Sequence, residues 1–155
     1  LTTDQKKLGK TGMHEYHYEV ASALRIFSHK NSVTTIVNTH PVTEAMRRTF
    51  PNGHQYAGLP TPPMTSDIEG GGKWGNRSDC IVIIHRLAQH LTDWVFTEIH
   101  VRKTKEMETG GRPTPLSEPI RIRSMKGNVG FTYNNLNLLD VQAPIQTIIY
   151  SDDPF

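Results

Sequence analysis

The sequence predicts an α/β domain in which parallel strands come first and an antiparallel hairpin comes last. Three observations predict it. An amphipathic helical stretch runs straight into a β-branched segment. A continuous apolar run lies in mid-chain. Two short strand-like segments follow, separated by a turn. At 155 residues the chain suits one domain of ordinary size.

Residues 1–12 are polar and contain glycine, and read as a loop. Residues 13–30 read as a helix, because Tyr16, Val20, Ala23, Leu24 and Phe27 recur at helical spacing and make one apolar face. Asn31-Ser32 ends it. Val33-Thr34-Thr35-Ile36-Val37 is β-branched at every position and reads as a strand. Thr39-His40-Pro41 closes that strand, and Thr43 to Arg48 reads as a short helix. Residues 49–72 are rich in proline and glycine with little periodicity, the mark of a long loop kept for function.

The run Cys80-Ile81-Val82-Ile83-Ile84 predicts a strand buried on both faces, as in a parallel sheet, with Cys80 packed in the core. Residues 94–102 alternate partly and read as a further strand. Residues 103–119 form a charged loop. Ile120–Arg123 and Val129–Tyr133 pair as a hairpin across Ser124–Asn128. Ile145–Tyr150 reads as a last strand or docking segment inside a tail, 140–155.

Composition narrows the function. A formal charge of +2 does not mark a nucleic-acid binder in bulk, so any such contact must come from a local patch. One cysteine excludes an intramolecular disulfide framework and suits a reducing compartment. No stretch approaches the roughly 20 apolar residues of a membrane span, so no membrane partner is expected. The first residues show no signal-peptide pattern, and the start at Leu1 is consistent with a fragment. The chain has eight histidines, with His14 and His17 three apart on the predicted helix. There is no HExxH, no Cys/His cluster and no carboxylate set at ligand spacing, so no metal site is expected.

Ligands in open α/β sheets bind beyond the carboxyl ends of the strands, which draws attention to His40 and to His85-Arg86. His40 can hydrogen-bond a phosphate or cap its strand. The segment Asp67–Asp79 holds Gly70-Gly71-Gly72, which permits a sharp turn or a close backbone approach to a ligand. It is not a phosphate-binding loop, because GxxxxGK[ST] occurs nowhere in the chain. Asn76 within it can donate to a phosphate or cap the loop. Lys103 and Lys105 point to one side of an extended chain, where they reach a polyphosphate or form a solvated basic edge. Tyr133 can stack on a flat base or pack the hairpin, and the Arg86 guanidinium can stack on the other side of such a base.

Four strings in order, NTHP, DIEGGGKWGNRSDCIVIIHR, IHVRKTKEMETGG and GNVGFTYNN, resemble the second half of the RecA-like core of DnaB-like and Twinkle-like replicative ring helicases. The likeness is nearest to the phage primase-helicase branch and runs from about Glu15 to Asn135. It implies a partial RecA-like domain over 1–139, divided into a helix and sensor strand (12–40), a DNA-loop region (41–79) and the remaining sheet (80–139). By this resemblance His40 is the γ-phosphate sensor and Asn76 links nucleotide state to the DNA loop. Arg47, Arg48, His54 and Lys73 contact single-stranded DNA, and Arg86 and Tyr133 sandwich the nucleotide base. Lys103 and Lys105 reach the neighbouring subunit's site in a ring, expected to be hexameric. Lysine stands where the family commonly has an arginine finger, and lacks its fork; Arg102 or Arg112 are possible substitutes. The resemblance implies ATP and Mg²⁺ as cofactors, both needing an N-terminal half with the Walker motifs, and a bacterial or phage-infected cytoplasm. The isolated chain is expected not to hydrolyse ATP. A RecA-like recombination or repair ATPase, a non-enzymatic nucleic-acid-binding module and a histidine-based metal hydrolase are the competing readings.

Overall fold

The computed structural model describes residues 13–127 and 129–140. Helix α1 (Met13–Asn31) fills the predicted helical stretch. Its inward face is rotated from the predicted stripe: Ala21 is buried, whereas Ala23 and Phe27 are exposed. The helix ends in a Schellman motif. Ser32 takes a left-handed conformation (φ 52°), its N–H bonds the His29 carbonyl, and the Val33 N–H bonds the Ser28 carbonyl.

Residues 33–40 then carry no regular structure and are exposed, so the predicted Val33–Val37 strand does not form. β-branching favours an extended backbone, but a strand also needs a ladder partner and a surface to cover. No strand of the described residues lies beside this segment.

Helix α2 (Thr43–Met46), a 3₁₀ turn (Thr65–Asp67) and helix α3 (Gly72–Arg77) follow. The intervening loop is held by isolated bridges between Thr49 and Pro60 and between Phe50 and Ala57. Strands β1 (Cys80–His85), β2 (Phe96–Thr104), β3 (Ile120–Ser124), β4 (Phe131–Tyr133) and β5 (Leu136–Asn137) form one sheet in that order. A 3₁₀ turn (Asp93–Val95) precedes β2, and a short helix α4 (Met107–Gly110) follows it.

Every neighbouring pair of strands is antiparallel. This overturns the expected RecA-like order of parallel strands followed by a hairpin: the fold is a small mixed α/β domain on a five-stranded antiparallel meander. For β1 and β2 the length of the chain between them is a physical reason. The ten residues from Arg86 to Val95 join β1 to β2, and a parallel pair needs a crossover of about a dozen or more. Strand β1 is also an edge strand with alternating burial rather than a strand covered on both faces, and Cys80 is exposed rather than in the core. The hairpin forms as predicted, with Arg123 opposite Thr132 and Ser124 opposite Phe131. The proposed segment Ile145–Tyr150 lies outside the described residues.

Between Ile81 and Val82 the register slips, so that Ile81 faces Lys103 while Val82 faces Val101. Arg102 is the extra residue of a β-bulge on β2. A bulge reverses which face the later residues occupy. It therefore brings Lys103 onto the face that carries Ile81, Ile83 and His85.

Candidate functional site

The predicted site residues divide into those the fold joins and those it keeps apart. The segment after His40 docks on the glycine-rich segment: Pro41 bridges Ile68, and the Val42 N–H bonds the Asp67 carbonyl at 2.7 Å. His40 itself is exposed at this junction. The buried Asp67 carboxylate receives the Met64 N–H at 2.5 Å and pairs with the Arg48 guanidinium. Arg48, expected on DNA, is thus committed to holding the loop.

Gly70 and Gly71 both have positive φ (82° and 55°), and the chain turns there against α1. A Cβ on Gly70 would lie 2.6 Å from Cγ of His17, so only glycine lets the turn approach this closely. The Trp74 indole on α3 donates to Nδ1 of His17 at 3.3 Å.

The basic end of β2 meets the same segment. The Lys103 ammonium donates to the carbonyls of Gly75 (2.5 Å) and Ser78 (2.8 Å). Lys105 lies 3.5 Å from the Asp79 carboxylate, which Arg25 of α1 approaches at 3.9 Å. The two lysines are therefore spent on internal partners. Arg102 differs: its Nε and Nη1 are buried without a hydrogen-bond partner, and burial lowers its pKa. Beside this junction α1 and α3 border an open cleft of about 680 Å³ lined by Ser22, Arg25, Ile26, His29, Lys30 and Arg77. Arg77 lies over the Tyr18 ring, 4.4 Å from its centre. Among the described residues Asp79 is the acid that pairs with both Arg25 and Lys105, and Arg25, Lys30 and Arg77 line the cleft.

Other predicted residues stand apart. Arg86 donates to the Trp94 carbonyl at 3.0 Å and lies one residue beyond β1, whereas Tyr133 is on β4. Three strand spacings, about 14 Å, separate those strands, too far to clasp one base between them. Arg47 pairs with Glu44 at 3.6 Å on the surface. His54 stacks on Phe50 with ring centres 4.4 Å apart. Asn76 and Lys73 lie on α3, the first exposed and the second half-buried.

A second cluster was not foreseen from sequence. His85 on β1 faces Glu98 on β2, and His100 lies two residues further along the same face. All three are buried, His100 at 1% exposure. One ligand-type atom from each lies within 4.8 Å of the others. Oε2 of Glu98 is 3.4 Å from Nδ1 of His85 and 3.4 Å from Nε2 of His100. The His100 imidazole first, and then His85, hold the Glu98 carboxyl down at about 2 despite its burial. The other carboxylate oxygen, Oε1, lies 3.6 Å from Nε of Arg121. Arg121 also donates to Asp93 at 2.9 Å and stacks on Phe96, and Asp93 accepts from the Tyr56 hydroxyl at 2.6 Å. The legible signal was Glu98-Ile99-His100 in a predicted strand, which puts two ligand types on one face. Nothing in the linear sequence placed His85 opposite Glu98.

No described helix is long and apolar enough to cross a membrane. Comparison of the chain with protein-family models, curated proteins and solved structures gives no match.

Proposed function

We propose that the chain is a DNA-contacting part of an ATP-dependent replicative helicase, gripping the phosphate backbone of single-stranded DNA. The observation that supports this most is the junction itself. The His40–Val42 segment, the glycine-rich segment and the basic end of β2 are hydrogen-bonded in series, and a cationic cleft opens beside them. A device that passes nucleotide state to a DNA-contacting surface needs such a mechanical link between a phosphate-sensing residue and that surface. His40 stands at one end of the link, and Arg25, Lys30 and Arg77 at the other.

The residues present do not hold a triphosphate and Mg²⁺. The sequence has no phosphate-binding loop, and Arg86 and Tyr133 do not converge. The reading therefore assigns nucleotide to a loop that these 155 residues do not contain, and no hydrolytic step is derived for the chain alone. Assembly into a ring around DNA belongs to the same reading.

The test is fluorescence anisotropy of a labelled oligothymidine titrated with the full chain over a salt series. About three phosphate contacts give a log–log salt slope of about −2 for a single strand. Lys30→Glu and Arg77→Glu should each weaken binding severalfold, and their combination should remove it at moderate salt. Binding that is absent at low salt, or indifferent to both changes, refutes the proposal. The missing triphosphate cradle favours a second reading, a self-sufficient nucleic-acid-binding module. The reading frame upstream of Leu1 separates the two: GxxxxGK[ST] before a strand ending in aspartate supports the motor, and unrelated sequence supports the module.

A further inference from the structure

We propose that His85, Glu98 and His100 bind one divalent transition-metal ion of the zinc type, joining β1 to β2. The first support is donor chemistry. Two imidazoles and a carboxylate are a ligand set that zinc and related ions take, and three protein ligands leave one position for water.

The second support is spacing. A four-coordinate zinc ion with nitrogen and oxygen ligands at about 2.1 Å places neighbouring ligand atoms about 3.4 Å apart. Both histidine-to-glutamate separations are 3.4 Å, and all three ligand atoms lie within 4.8 Å of one another. Direct hydrogen bonds between charged partners close to about 2.8 Å instead. The observed separations match the ligand-to-ligand spacing around one such ion.

The third support is an unspent donor set. Nε2 of His100 meets Oε2 of Glu98 at 3.4 Å as an ion-pair contact, and its Nδ1 is buried with no hydrogen-bond partner. A buried polar atom held only by a long contact is poorly satisfied, and an ion between Nε2 and the Glu98 carboxylate gives both a full bond. The surroundings suit the role as well. Arg121 lies against Oε1 of Glu98, which leaves Oε2 turned to the two imidazoles, and Asp93 with Tyr56 fixes Arg121 in turn. Outer groups that orient a ligating carboxylate are characteristic of metal centres. This inference is independent of the helicase reading: it concerns the sheet face, not the α1–α3 cleft.

The experiment strips the full chain with chelator and titrates it with Zn²⁺ against a chromophoric competitor. Co²⁺ substitution is read in the visible spectrum, and thermal melting is followed with and without Zn²⁺. The expected result is one ion per chain, intense four-coordinate cobalt bands and a higher Tm with metal. Glu98→Gln should weaken binding at least tenfold, and His85→Ala with His100→Ala should abolish it. Glu118→Gln, at an exposed position away from the cluster, should leave metal binding unchanged. Circular dichroism establishes that each variant keeps its secondary structure. Should the double variant not fold, the cobalt spectrum of the unaltered chain decides, since six-coordinate bands contradict the site. Retention of zinc by a folded double variant, or no stoichiometric binding by the unaltered chain, overturns the proposal.

Discussion

Asp93 shows how one residue ties distant segments together. Its carboxylate accepts from the Tyr56 hydroxyl of the long loop, from Arg121 on β3 and from Thr92 beside it. The hydrogen bond from Tyr56 and then that from Arg121 lower its pKa to about 2, from an ordinary value of 3.8. A carboxyl depressed in the folded state stabilises the fold fully above its unfolded value, and that contribution is lost as pH falls through the folded one. Stability measured by denaturant midpoint is therefore expected to fall between about pH 4 and pH 2 in part through Asp93. Asp93→Asn should flatten that acid limb and lower stability at neutral pH. An unchanged acid limb in the variant shows that Asp93 does not carry it. His100 is the contrasting residue. It is buried more deeply than any apolar side chain named in the core, and it meets the Glu98 carboxylate only at 3.4 Å.

At the scale of elements, the turn at Gly70-Gly71 and helix α3 are the critical connection. They lie between α1 on one side and Lys103 of β2 on the other. The ammonium of Lys103 bonds two carbonyls around the C-terminal end of α3, where the helix dipole favours a cation. Two glycines of this connection should respond oppositely to alanine. Gly70→Ala imposes a side chain at φ 82° and drives it into the His17 ring, so a loss of about 1 kcal/mol or more is expected. Gly75 lies within α3, and nothing lies within 4 Å of its would-be Cβ, so Gly75→Ala should leave stability unchanged or raise it by up to about 1 kcal/mol. Thermal or denaturant unfolding of the pair checks this. Equal effects would show that the turn does not need glycine. The bulge at Arg102 works at the same scale, since it turns Lys103 toward α3 rather than away from it.

Across the whole molecule, burial is thin. The buried apolar residues among those described are Ala21, Ala45, Ile81 and Leu87, while His85, Thr97, Glu98 and His100 are buried with them. Large apolar side chains such as Ile36, Ile84 and Leu91 remain exposed. β1 is an edge of the sheet, and its Val82 and Ile84 face solvent. An edge strand with exposed apolar residues is a template for pairing with another chain. The chain is expected to self-associate at rising concentration, and Ile84→Lys should shift it toward monomer in sedimentation or light scattering. An indifferent result would rule out this edge as the contact.

Local elements were legible because their signals are local. The 3.6-residue periodicity of residues 13–30 marked α1, the apolar run marked β1, and the two short segments after Pro119 marked the β3–β4 hairpin. Of the candidate residues, the basic stretch Arg102–Lys105 and the glycine run were visible as unusual sequence, and they do meet in space. The RecA-like order of strands was the error, and it came from the resemblance of four short strings together with reading burial on both faces into an apolar run that forms an edge. By itself the sequence determined where α1, β1 and the β3–β4 hairpin lie and which segments carry charge, because those depend on neighbours within a few residues. Only the tertiary structure decided that all strands run antiparallel, that Val33–Val37 stays unpaired, that a bulge redirects Lys103, and that His85 stands opposite Glu98. Those outcomes depend on strand pairing and register, which are set by contacts between residues far apart in the chain.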